Sequence, residues 1–104
     1  MNRDEAKQIA ATILHQLGGQ KFVAMTGAHS FTSGEDGTLS FRFRMSKSWK
    51  ALNVTLNSMD TYDMTFYKIG NAPTHKVTTK KINGIYFDQL QEIFTKETGL
   101  NTHL

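Results

Sequence analysis

LNVTLNSMDTYDMTFYKI, Leu52–Ile69, decides the fold. Leu52, Val54 and Leu56 alternate with Asn53, Thr55 and Asn57. After the short connection SMD, Tyr62, Met64 and Phe66 alternate with Asp63, Thr65 and Tyr67. A period of two puts successive side chains on opposite faces of a strand, so each run is half-buried. Two such runs joined by so short a turn pair antiparallel, because parallel neighbours need a long crossover.

The same pattern extends outward on both sides. Upstream, TLSFRFRM (Thr38–Met45) sends Leu39, Phe41, Phe43 and Met45 one way and Ser40, Arg42 and Arg44 the other. The polar turn SGEDG (Ser33–Gly37) joins it to HSFT, and SKSWKA reads as a loop carrying Trp49. Downstream, GNAPT holds the only proline, Pro73, and reads as a loop. HKVTTKKI follows as a strand at a sheet edge, where lysines discourage stray pairing. Asn83-Gly84 marks a further turn.

Helices close both ends. Asn2 and Glu5 have capping-box spacing, and Ala6, Ile9, Ala10, Ile13, Leu14 and Leu17 follow at three-four intervals. Gly18 and Gly19 stop that helix. The next run, QKFVAMT, has the composition of a strand, with Gly27 marking a bulge or bend after it. It is not a phosphate loop, since no Lys-Ser or Lys-Thr pair follows Gly27 and the glycine pair closes a helix rather than opening one. At the other end Phe87, Leu90, Ile93 and Phe94 have helical spacing and Gly99 stands at the stop. The expected fold is one α+β domain over residues 1–104: an antiparallel sheet of five or six strands, with N- and C-terminal helices packed on one face. Ile9, Ile13, Leu14, Phe41, Phe43, Val54, Leu56, Leu90, Ile93 and Phe94 are the expected core.

The 104 residues include no cysteine, which removes disulfides, thiolate metal sites and a cysteine nucleophile. No apolar run reaches membrane-spanning length, and MNRDEAKQ lacks the apolar centre of a signal peptide, so a cytoplasmic location is expected. The sequon Asn53-Val54-Thr55 is then a chance match. The net charge of +3 is unevenly placed. Residues 38–81 carry eight basic side chains against two acidic ones, and the remainder four against seven.

Catalytic signatures are lacking. His15, His29, His75 and His103 show no zinc-binding spacing, and no G-x-S-x-G is present. Asp60 and Asp63 flank a tight connection, where Asp60 reads as a cap for backbone N–H groups. No catalytic, cofactor or metal residue is assigned and no enzymatic activity is expected. The outward sheet face is the candidate surface. The alternation assigns it Arg42, Arg44, Asn53, Thr55, Asn57, Thr65 and Tyr67, with Lys76, Thr78 and Lys80 on one face of the last strand. Cations beside an aromatic ring suit a nucleic-acid strand, which needs phosphate neutralisation and a stacking platform.

Three segments, ILHQLGGQKFVAMTGAHSF, VTLNSMDTYDMTFYKI and GIYFDQLQEIFTKETGL, resemble a family of short proteins encoded by bacteriophages and integrated mobile elements. The resemblance covers most of the chain. It implies a phage or prophage origin and a bacterial cytoplasm, and it transfers no site residues. The resulting expectation is a phage-type accessory protein that binds a host or phage protein. Single-stranded nucleic acid bound on a basic sheet face is the alternative, with Arg42, Arg44, Asn53, Thr55, Tyr67, Lys76 and Lys80 as its contacts. Self-association into a homo-oligomer is a further expectation.

Overall fold

The computed structural model describes residues 3–34, 36–44, 46, 49–69, 76–100 and 102. Asn2 of the expected capping box, Met45, the Pro73 loop, His75 and His103 lie outside them. Chain order is α1 (Arg3–Leu17), α2 (Gly19–Thr26), β1 (His29–Ser33), β2 (Leu39–Arg42), β3 (Ala51–Leu56), β4 (Tyr62–Ile69) and β5 (Val77–Ile85). A 3-10 turn (Phe87–Gln89) then leads into α3 (Leu90–Thr98). The five strands form one antiparallel sheet in sequential order β1-β2-β3-β4-β5. The fold is α+β, with α1 at the N-terminal end and α3 at the C-terminal end.

The register follows the alternation. Phe41 lies opposite Leu52, and Leu52 opposite Phe66. Val54 lies between Leu39 and Met64. These side chains form one buried face, on which α1 places Ala10, Ile13 and Leu17, α2 places Phe22, and α3 places Leu90 and Phe94. At its centre Phe22 packs edge-on against Phe41 at 5.5 Å and against Phe94 at 5.0 Å. Phe43 also packs edge-on against Phe94, at 5.4 Å. Such edge-to-face pairs add to the stabilisation from burial alone. Of the expected core, Ile13, Phe41, Phe43, Val54, Leu90 and Phe94 are buried, whereas Ile9, Leu14, Leu56 and Ile93 are half-buried against it. Trp49, in its loop, covers Phe66 at 5.9 Å.

Three expectations are corrected. QKFVAMT is helix α2, not a strand, which is why the sheet has five strands and not six. Phe22 and Thr26, one helical turn apart, are both fully buried, and the Thr26 hydroxyl donates to the Phe22 carbonyl at 2.8 Å. Gly27 is therefore a helix stop: at φ 69° its N–H returns to the Val23 carbonyl at 3.0 Å. Aromatic and β-branched composition favours a strand locally, but seating Phe22 under the sheet prevails.

Asn83-Gly84 is not a turn. Both residues lie inside β5, where they oppose the single residue Asp63 between the Tyr62–Ile85 and Met64–Ile82 pairs. This is a β-bulge, with Gly84 at φ 71° donating its N–H to Asp63 Oδ1 at 3.2 Å. Bulges and turns call for the same glycine chemistry, so the dipeptide alone does not separate them. Phe87 leaves the expected apolar face: it sits in the 3-10 turn and is 62% exposed.

β5 is an edge strand, as its lysines predict. The other edge, β1, carries no lysine. It is bent instead by a register shift between His29 and Thr32, with Ser30 at φ 58°. A bulge twists an edge away from new partners, so each edge has its own guard.

Candidate interaction surface on the uncovered sheet face

Helices α1, α2 and α3 all pack on the buried face, and among the described residues no helix covers the opposite face of the sheet. One cross-strand row on it reads His29, Arg42, Ala51, Tyr67, Thr79 from β1 to β5. The next reads Thr32, Ser40, Asn53, Thr65, Lys81. A third contains Thr55 opposite Asp63. Residues Ser40, Asn53, Thr55, Thr65 and Tyr67 are half-exposed, as expected where flat strands shield one another. Hydroxyl and amide groups dominate.

Hydrogen bonds hold this surface in place. Asn53 Nδ2 donates to the Tyr67 phenol oxygen at 3.1 Å, which fixes the ring diagonally across β3 and β4. The Thr38 and Thr55 hydroxyls meet at 2.8 Å. Beside them the Thr38 hydroxyl, and then its N–H, hold the Asp36 carboxyl below the usual carboxylate range.

The β3–β4 connection is organised by Asn57. Its Oδ1 accepts the N–H groups of Met59 and Thr61, at 2.9 Å and 3.3 Å. Its Nδ2 donates to Thr61 Oγ1 at 2.7 Å and to Asp63 Oδ1 at 3.1 Å. The capping role expected of Asp60 therefore falls to Asn57, while Asp60 takes the left-handed conformation at φ 59°. Asp63 is engaged by Asn57 and by Gly84, so the two aspartates do not form an acid–base pair. Among the described residues, no three His, Asp or Glu side chains are grouped to hold a metal ion.

Of the sequence-derived contacts, Arg42, Asn53, Thr55 and Tyr67 share the open face, and Arg44 lies exposed just beyond β2. Arg42 and Tyr67 stand two strands apart in one row, about 10 Å between backbones. Lys80 is not on this face. It lies opposite Phe66 on the helix-covered side, and its Nζ binds both oxygens of Glu97 on α3 at 3.0 Å and 2.9 Å. Lys76 precedes β5 and is exposed. The outward cation of β5 is Lys81, in place of the expected Lys80. The signal was available: Ile82 faces the core, and Lys80, two residues earlier, must share its side. A single surface ion pair contributes little. Lys80→Gln is therefore expected to lower stability by less than about 1 kcal/mol, with the difference shrinking as salt is added, in urea melts at two ionic strengths.

Among the described residues no helix is long and apolar enough to cross a membrane. No protein-family model, no curated protein and no solved structure matches this chain.

Proposed function

We propose that this chain is a non-enzymatic binding protein of phage type, and that it engages a host or phage protein through the uncovered sheet face. The observation that carries this reading is the composition of that face. Two cross-strand rows spanning all five strands are mostly Thr, Ser, Asn and Ala, with Arg42 and Lys81 placed at opposite sides of the sheet. A nucleic-acid strand needs a continuous track of cations. Here Arg42 on β2 and Lys81 on β5 stand three strands apart and in different rows, which does not make such a track. A broad face with few charges that presents Tyr67 and Arg42 suits a protein interface, where Tyr and Arg are enriched and other charged residues are depleted. The resemblance to short phage-encoded proteins supports the same class.

Single-stranded nucleic acid is the second reading, favoured by Arg42 and Tyr67 in one row with Arg44 close by. Anisotropy titration of a labelled oligothymidylate of about twenty nucleotides separates the two. The protein-partner reading predicts no saturable binding at physiological salt. Tight binding whose salt slope becomes shallower by about one to two units in Arg42→Gln/Arg44→Gln would instead establish the nucleic-acid reading.

A further inference from the structure

A second surface lies on the helical side, away from the sheet face. The chain leaves β5 through Tyr86 and Phe87, two consecutive aromatic residues that are 60% and 62% exposed. Phe87 lines an open groove of roughly 660 Å³ between the C-terminal half of α1 and the start of α3. Asp88, from the 3-10 turn, and Glu92, from the first turn of α3, line the same groove. His15 stands on the α1 wall. The floor is fixed, because Gln91 Nε2 donates to the Gln16 carbonyl at 3.0 Å and Gln91 Oε1 accepts from Thr102 Oγ1 at 2.9 Å.

Carboxylates at the start of a helix are favourable in themselves. The 3-10 turn carries Phe87 off the apolar face of α3, so its phenyl ring stands in water on the same groove as these carboxylates. An aromatic face flanked by two carboxylates is what a guanidinium ion requires: the ring attracts the cation and the planar fork bonds carboxylate oxygens. We infer that this groove receives an arginine side chain from a basic segment of a partner protein, stacked on Phe87 and paired with Asp88 and Glu92. The inference does not depend on the role of the sheet face, since it concerns the opposite side of the molecule.

The test is a titration of the isotope-labelled protein with a blocked Gly-Arg-Gly-Arg-Gly peptide, followed by amide chemical shifts. The control peptide carries citrulline at both arginine positions, which keeps shape and hydrogen-bonding capacity but removes the charge. The result expected is saturable shifts at the amides of Phe87–Glu92 and around His15, absent with the citrulline peptide. Asp88→Asn/Glu92→Gln should weaken binding on the order of ten-fold. Phe87→Leu, which keeps apolar bulk but removes the ring, should weaken it several-fold at an unchanged melting temperature. Equal shifts with both peptides, or shifts confined to the sheet face, overturn the inference. So do concentration-dependent shifts at the groove without any peptide that vanish in Arg42→Gln/Arg44→Gln, because the occupant would then be a second copy of this chain.

Discussion

Phe43→Ala is expected to bring the protein close to unfolding at room temperature. Phe43 is 2% exposed and touches both Phe41 and Phe94, at ring distances of 6.2 Å and 5.4 Å. It therefore joins the end of β2 to α3 across the layer between sheet and helices. Removing a buried phenyl loses its transfer free energy and leaves a cavity, together about 3–5 kcal/mol. Domains of this size have only about 5–15 kcal/mol in total. Urea denaturation should show a midpoint shifted far down, with the slope kept. A midpoint equal to the parent's would mean that Phe43 does not hold the two layers together.

The second large effect is expected at the corner between α1 and α2. Gly18 sits at φ 127°, outside the range that side-chain-bearing residues adopt. A Cβ there would come within 2.9 Å of the Thr102 carbonyl oxygen and 3.1 Å of the Phe22 Cβ. Backbone oxygen does not yield as the end of a flexible side chain does. Gly18→Ala combines backbone strain of about 1–3 kcal/mol with overpacking of about 1–3 kcal/mol. Its neighbour provides the control: Gly19 has φ 62° with no atom within 4 Å of its Cβ position. Gly19→Ala should therefore cost only the left-handed penalty of about 1–2 kcal/mol. Parallel thermal melts should rank the parent above Gly19→Ala and Gly19→Ala above Gly18→Ala. Equal losses in the two variants would remove the tight corner from the account.

The hairpin β3–β4 and strand β2 were legible because each has one wet and one dry face, so the period-two signal is strong and its phase is fixed by burial. β5 was legible as an edge strand but not in phase. It is exposed on both sides over most of its length, and Val77, Thr79 and Lys81 look no different from Thr78 and Lys80 until Ile82 is used to set the side. α2 was misread because eight residues are too few for helical period to outweigh strand composition. The Gly27 stop signal after Thr26 was the better clue. On the open face, Arg42, Asn53, Thr55 and Tyr67 were correctly grouped by alternation within single strands. Which cation of β5 joins them follows from the phase set by Ile82, which puts Lys80 on the helix side and Lys81 outward. The exposure of Phe87 was illegible for a related reason: the 3-10 turn breaks the helical phase three residues before α3 begins.

Affinity capture tests whether the uncovered sheet face binds a protein, as proposed. The immobilised parent and Thr65→Arg are each exposed to bacterial lysate, with and without nuclease. Thr65 lies at the middle of the face, between Asn53 and Lys81, so the long side chain blocks the surface and leaves the buried side untouched. The parent is expected to retain a discrete protein after nuclease treatment, and folded Thr65→Arg is expected to lose it. Recovery of nucleic acid alone, or the same protein held equally by parent and variant, would contradict it.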